Sequence, residues 1–357
     1  MRGKTKDPLH VALLGASGYT GADALRLLAG HPGVRITLLS AHSHAGRALR
    51  EIHPHLASLE LPAPSRIEDI KDNAWDDVDV VFSCLPHGAG QEILAKLAAR
   101  TSPPRIIDLS ADFRLRDTGV YAQWYGREHS APKLQASAVY GLSEFYRDDI
   151  ASANLVACPG CYPTAVLAGL LPPLQAKTID AGGVIIDAKS GVSGAGRAVK
   201  EANLFTEVAE GVHPYAVASH RHAPEIEQEL SRAAGQQLLV SFTPHLVPMN
   251  RGELTTSYVT LAPDCSVADV RESLESFYRD APFIRVLPDG DVPATRHVRG
   301  SNFCHIGVFA DRVPGRAIVV AALDNLVKGS SGQAVQNMNL MFGFEESEGL
   351  RSLPLFP

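Results

Sequence analysis

Apolar positions in the first half of the chain come in short, unbroken runs separated by glycine- or proline-containing turns. Residues 11–14, 34–39, 79–84 and 105–109 are such runs, and each reads as a buried strand. Leucines at helical spacing (Leu25, Leu27, Leu28) follow the first run, and a helix over 89–99 follows the third. Strands alternating with helices through short links predict a parallel, doubly wound sheet. Further on the pattern changes. Residues 184–188 and 317–323 read as strands, and 238–242 and 255–261 alternate as antiparallel strands do. Helices are predicted over 225–234 and 267–278, with a last one around 334–342.

One stretch joins the two patterns. An apolar run enters Cys158-Pro-Gly-Cys161-Tyr-Pro-Thr164, and residues 165–171 then read as a short helix. Pro163 suits a first helical position, where its missing N–H has no partner to lose. Cys161 is thereby placed just before a helix N-terminus, where unpaired N–H groups and the helix dipole favour a thiolate. Three other readings stand beside this one: a small buried residue, a redox dithiol with Cys158, or half of a zinc site. Cys84, Cys265 and Cys304 are singletons, so no second metal-binding pair exists. The turn-plus-helix setting favours a nucleophile that forms a thioester.

The strand at 11–14 leads directly into Gly15-Ala-Ser-Gly18-Tyr-Thr-Gly21 and then a helix, the context a dinucleotide-binding loop requires. Past the second strand no acidic residue occurs before Glu51, whereas Ser40, Ser43 and Arg47 suit a 2′-phosphate. NADP is therefore expected over NAD, unless Arg47 is only a solvated loop charge. The strand ends at 84–87, with Leu85 and Pro86, and at 110–114 would line the ligand crevice. Arg114 there is either an anion clamp or an ion-pair partner of Asp112 or Asp117. The glycine- and serine-rich turn at 189–197 is a flexible link or a second ligand loop. His220 and His222 precede a helix, and either could serve a thiol as proton partner.

Composition narrows the classes. The chain has 357 residues, enough for two domains. A net charge of −6 gives no footprint for nucleic acid. Five cysteines without framework spacing argue against a secreted disulfide protein and fit a reducing compartment. No apolar run approaches the roughly 20 residues of a membrane helix. The basic first seven residues lead into no signal-peptide apolar region. The pairs His42/His44 and His53/His55 read as scattered loop histidines, so no metal is expected.

Taken together, the glycine loop, the Cys158–Thr164 segment and the run His220-Arg-His-Ala-Pro-Glu-Ile226 resemble the N-acetyl-gamma-glutamyl-phosphate reductase family, relatives of the aspartate-semialdehyde dehydrogenases. Segments 110–115, 189–197 and 324–329 extend the resemblance over nearly the whole chain. It implies an α/β fold: a Rossmann-type doubly wound parallel sheet plus an α+β catalytic domain with a mainly antiparallel sheet. The first domain would span 1–160, completed by a C-terminal helix in 330–357, and the catalytic and dimerisation domain 161–329. It implies NADPH-dependent reduction of N-acetyl-L-glutamyl 5-phosphate to the 5-semialdehyde, a step of arginine synthesis. Aspartyl phosphate or a carrier-linked glutamyl or aminoadipyl phosphate is the alternative substrate.

Residue by residue, the resemblance makes Cys161 the nucleophile and His220 the acid/base that accepts the thiol proton and later returns one. Gly15, Ser17, Gly18, Tyr19, Thr20 and Gly21 would hold the cofactor phosphates. Ser190, Gly191, Ser193, Gly194 and Asn325 would reach the nicotinamide end, and Arg114 and His213 the substrate. Cys158 stands where the family usually has Asn, which places a second thiol near the first in sequence. The expected setting is a homo-oligomer, dimer or tetramer, in the cytoplasm, or in a plastid once a transit peptide is removed.

Overall fold

Val11, Ala12, Leu13 and Leu14 are apolar at consecutive positions, so a strand built from them needs cover on both faces. All four are fully buried. In the computed structural model, which describes residues 7–357, they belong to β1 (Leu9–Leu14). The basic N-terminal segment, Asp7 apart, lies outside the described residues. With β1 come β2 (Val34–Ser40), β3 (Val80–Ser83), β4 (Arg105–Asp108), β5 (Val139–Tyr140) and β6 (Leu155–Ala157). Their order is β2-β1-β3-β4-β6-β5, and every pairing is parallel. The chain runs outward from β1 to β2 and then back past β1 to β3. The switch point of the sheet therefore lies at the carboxyl ends of β1 and β3, where such sheets bind ligands.

The chain divides into two compact units. The first holds the described residues up to Pro159 together with Ser330–Arg351, and the second holds Gly160–Gly329 with Ser352–Pro357. The late return to the first unit is made by the helix Gly332–Phe342. Gln333, Gln336, Asn337 and Asn339 of this helix are fully buried, which is tolerable only where amides find partners. Asn337 accepts from Ser143 Oγ at 2.7 Å and donates to Gly141 O at 2.9 Å. Gln336 donates to Glu144 Oε1 at 3.0 Å, and Asn339 Oδ1 meets His31 Nε2 at 3.0 Å.

The second unit is built on a seven-stranded sheet: β7 (Ile185–Gly191), β8 (His213–Pro214), β9 (Ser241–Val247), β10 (Glu253–Thr260), β11 (Ile284–Val286), β12 (Cys304–Ala310) and β13 (Arg316–Leu323). The order is β11-β12-β13-β10-β7-β9-β8. Pairings β12–β13, β13–β10, β10–β7 and β9–β8 are antiparallel, while β11–β12 and β7–β9 are parallel. Alternate residues of β10 are buried, beginning with Glu253, and the helix Cys161–Gln175 packs against β10 and β13. The mainly antiparallel expectation therefore holds, with two parallel exceptions.

That helix is longer than its sequence predicts. It begins at Cys161, not 165, and runs to Gln175 through Pro172 and Pro173. Pro163 is its third residue, still within the first turn, where N–H groups have no helical partner. Pro172 leaves the carbonyl of Ala168 without its usual donor. Tyr278 Oη supplies the replacement at 2.8 Å. The strand expected at 238–242 is displaced to Ser241–Val247, where Phe242, Pro244 and Leu246 are the alternate buried positions. A proline is tolerated beside a neighbour as short as β8.

Candidate active site

The first unit shapes an anion site at the end of β1. Gly15 has φ +80, and a Cβ on it would lie 2.5 Å from Cys84 O, so only glycine brings β1 this close to the chain leaving β3. The N–H groups of Gly15 and Ala16 donate to Ser40 O at 3.1 and 2.8 Å. The helix Tyr19–Ala29 starts at Gly18 with no capping side chain and no acidic residue in its first turn. Gly18, Tyr19, Thr20 and Gly21 thus form a helix start with nothing to repel a phosphate, and Ser17 lies in the bend before it. These residues fit a dinucleotide pyrophosphate.

Around the turn, three expectations change. Ser40 is buried, and its hydroxyl accepts from Gly15 N–H at 3.3 Å. It braces the glycine bend from inside, leaving Ser43 and Arg47 as the exposed donors past β2. There Ser43 Oγ meets His44 Nδ1 at 3.0 Å, and Arg47 Nε reaches Glu51 at 3.4 Å. Arg114 is likewise buried, donating through Nε to Cys158 O at 2.7 Å and through Nη2 to Leu109 O at 3.0 Å. It ties the end of β4 to the turn after β6, and those donors are unavailable to a substrate. Leu85 and Pro86 follow β3, half-buried and exposed respectively. Cys158 is a packed thiol: burial pushes its pKa up to about 12, and Asn337 Nδ2 lies 3.7 Å from its sulfur. All five cysteines are free.

In the second unit Cys161 is the first residue of its helix, with Gly160 as the extended N-cap. Gly160 N–H donates to the buried Glu225 at 2.8 Å. A Cβ at Gly160 would lie 2.5 Å from His222 Nε2, so glycine is what admits that imidazole beside the turn. His220 sits in an aromatic cage. Its ring meets Tyr162 at 5.7 Å, Tyr215 at 5.4 Å, Phe242 at 5.4 Å and His222 at 4.7 Å, all edge-on. Burial, and secondarily the charge of Arg221, pushes its pKa down to about 4.

The tautomer of His220 follows from a backbone donor. The N–H of His222 donates to His220 Nδ1 at 3.1 Å, so in the neutral ring the proton resides on Nε2. The Nε2–H of His220 is thus arranged to donate a hydrogen bond. The acceptor half of its expected role has no free lone pair in this tautomer, and none of its hydrogen bonds among the described residues is to the Cys161 thiol.

Other expected residues do converge. Asn325 Nδ2 donates to Ser193 Oγ at 3.0 Å, and its Oδ1 accepts from Gly252 N–H at 2.8 Å. A Cβ on Gly194 would lie 3.0 Å from Ser190 Oγ, beside the end of β7 at Gly191. His213 lies in the edge strand β8, opposite Leu246. Residues given no role by the sequence also face this region. Tyr215 Oη donates to Tyr162 Oη at 3.3 Å. Glu253 is wholly buried, and its pKa is pushed up to about 8, chiefly by burial and partly by Asp324, with the Cys161 thiol acting against the shift. A glutamate opening an alternating strand carries no sequence signal that it points inward. Among the described residues no cluster of side chains could hold a metal ion.

A parallel dinucleotide-type unit followed by a mainly antiparallel unit headed by a cysteine helix defines the semialdehyde dehydrogenase class. Residues 10–153 match the family "Semialdehyde dehydrogenase, NAD binding domain", and 161–325 match "Semialdehyde dehydrogenase, dimerisation domain". The crystal structure of aspartate semialdehyde dehydrogenase II from Vibrio cholerae has the same fold, with TM-score 0.71 at 18% identity, over 94% of this chain and 99% of that one. The N-acetyl-gamma-glutamyl-phosphate reductase of Rhodospirillum rubrum is 54% identical over 98% of this chain and 99% of its own. A probable chloroplastic N-acetyl-gamma-glutamyl-phosphate reductase of Arabidopsis thaliana is 52% identical over 99% and 87%. The chain belongs to the N-acetyl-gamma-glutamyl-phosphate reductase family.

Proposed function

We propose that this protein reduces N-acetyl-L-glutamyl 5-phosphate to N-acetyl-L-glutamate 5-semialdehyde and phosphate, with Cys161 as the nucleophile. The observation that carries the reading is the thiol at the first residue of a buried helix, in a turn fixed by Glu225 and His222. Helix N–H groups and the dipole favour sulfur as an anion there. The thiolate attacks the acyl carbon, phosphate leaves, and a thioester remains on Cys161. NADPH, when bound, supplies the hydride that reduces this thioester. Gly15, Ser17, Gly18, Tyr19, Thr20 and Gly21 hold the cofactor's pyrophosphate, and Ser43 and Arg47 its 2′-phosphate. Leu85 and Pro86 line the crevice at the switch point, while Ser190, Gly191, Ser193, Gly194 and Asn325 serve the nicotinamide end. His220, with its proton on Nε2, donates a hydrogen bond to the tetrahedral oxygen and stabilises its negative charge until the C–S bond breaks, giving aldehyde and the Cys161 thiolate. A hydrogen-bond donor positioned at a developing oxyanion in this way contributes roughly 10²- to 10³-fold.

The match to a dimerisation domain supports a homo-oligomer, which we place as a dimer or a dimer of dimers. No helix among the described residues is long and apolar enough to cross a membrane. We place the protein in the cytoplasm, or in a plastid as the Arabidopsis relative's name specifies for that protein. The reaction is tested in reverse. N-acetylglutamate semialdehyde, NADP and phosphate should yield NADPH only when all three are present. Turnover with aspartate semialdehyde instead would move the substrate to the alternative acyl phosphate.

A further inference from the structure

Two histidines, His42 and His44, stand in the loop past β2 and have no part in the reaction as described so far. The loop is fixed at both ends. Ser40, the last residue of β2, accepts the N–H groups of Gly15 and Ala16 on its carbonyl, which sets the loop beside the glycine turn. Ala41 N–H donates to Ser65 O at 3.0 Å and Gly46 N–H to Pro64 O at 2.8 Å, so residues 41–46 form a closed bend. Arg47 N–H then donates to His44 O at 3.3 Å, which keeps the two side chains on one turn. Ser43 Oγ meets His44 Nδ1 at 3.0 Å. The half-buried imidazole of His44 is thus held through one nitrogen, and Nε2 is left to meet a ligand. His42 is exposed.

The loop is short of fixed positive charge for what it must hold. A phosphate monoester carries roughly −1.5 to −2 charges at pH 7. Arg47 is the one arginine or lysine in residues 40–49, and it already pairs with Glu51 at 3.4 Å, both side chains half-exposed. We infer that His44 is the second cation of the 2′-phosphate site and takes up a proton from solvent when NADP(H) binds. This rests on reading the loop as that site. An imidazole beside a phosphate dianion keeps its proton to higher pH than one in water. Protonated, His44 has a hydrogen on both ring nitrogens. Nδ1 then donates to Ser43 Oγ, which releases the serine hydrogen for the phosphate, and Nε2 becomes a charged donor. NAD(H) has no 2′-phosphate and calls for no such proton. The preference for NADP(H) therefore strengthens as pH falls toward neutrality.

The elements packed on the loop bring few competing charges. Pro64 and Ser65 are uncharged, and Arg66 is next along the chain. The helix Leu49–Ile52 carries Arg50 and Glu51, the latter engaged by Arg47. His53 is buried, with Nε2 at 2.8 Å from Ala16 O, and its ring meets His55 at 5.7 Å. His53 thereby serves the glycine turn from within, and His44 with its serine is the imidazole of the exposed loop that is already held in place.

The test is calorimetric titration of NADP and of NAD into the full-length protein at pH 7.5, in two buffers of different ionisation heat, which counts protons exchanged on binding. NADP should take up a measurable fraction of a proton and NAD none. The Kd of NADP should rise about three- to eightfold between pH 7 and 9, for a bound imidazole titrating at about 7.5–8 against about 6.5 in water. The Kd of NAD should stay flat. His44→Gln should abolish both the uptake and the pH dependence, and His42→Gln should leave both in place. A site that binds the phosphate dianion through arginine alone takes up no proton. No uptake in wild type, or uptake that survives in His44→Gln, overturns the assignment, and so does its loss in His42→Gln instead. Arg47→Glu tests the reading beneath it. Equal weakening of NADP and NAD there takes the 2′-phosphate off this loop altogether, whereas selective weakening of NADP keeps the loop as the site even if His44 fails.

Discussion

At the scale of single residues, the site depends on which atoms carry protons. Cys161→Ser should abolish reduction while NADPH still quenches protein fluorescence on binding, because the cofactor turn belongs to the other unit. His220→Asn should lower kcat more than His222→Asn, since only His220 has its Nδ1 fixed as an acceptor. Equal losses, measured in parallel assays, would mean that either ring can donate. Glu253 also ties stability to pH. Its folded pKa near 8 lies above the ordinary carboxyl value of 4.5, so between those values the folded state binds more protons than the unfolded one. Stability is therefore lost as pH rises through this window. Glu253→Gln should melt higher than wild type by an increment that grows from pH 5 to about 8 and then levels off; a constant increment in calorimetry would contradict a titrating carboxyl. Cys161 and His220 could be named from sequence because they sit in motifs. Glu253, Glu225 and Tyr215 could not, since their importance comes from partners far away in the chain. Ser40 and Arg114 show the opposite: the right residue types near a crevice, turned inward to hold main-chain atoms.

Among the elements, those with one kind of environment were the readable ones. The apolar runs of β1 and β3 allow only a doubly covered strand, and the strand–glycine–helix order at 11–29 allows only one bend. Elements with mixed demands were hidden. The cysteine helix runs through two prolines because a tyrosine from a later segment replaces a missing donor. Tyr278→Phe leaves the buried Ala168 carbonyl unpaired and should destabilise the protein by about 1–3 kcal/mol in urea unfolding. An unchanged midpoint would show that water takes the hydroxyl's place. The helix Gly332–Phe342 carries amides on its buried side, since it is held by side-chain hydrogen bonds as much as by packing. On the loop past β2, Arg47→Glu should weaken NADPH binding far more than NADH binding by fluorescence titration. Equal weakening would place the 2′-phosphate elsewhere.

For the whole molecule, the chain crosses between units three times, at Pro159–Gly160, at Gly329–Ser330 and at Arg351–Ser352. On the second unit's side the residues at the first two crossings, Gly160, Cys161 and Gly329, lie together. The alternation of strands and helices revealed two architectures in sequence, but the late return of Ser330–Arg351 rests on buried amides that no periodicity marks. That return has a consequence for biosynthesis. A ribosome working from the amino end finishes the parallel sheet early, yet its covering helix is translated only after the entire second unit. The older half of the nascent chain must wait, one flank of its apolar sheet bare, for the younger half to be made. In a cell this interval, more than the finished enzyme's stability, is when holding chaperones have most to bind.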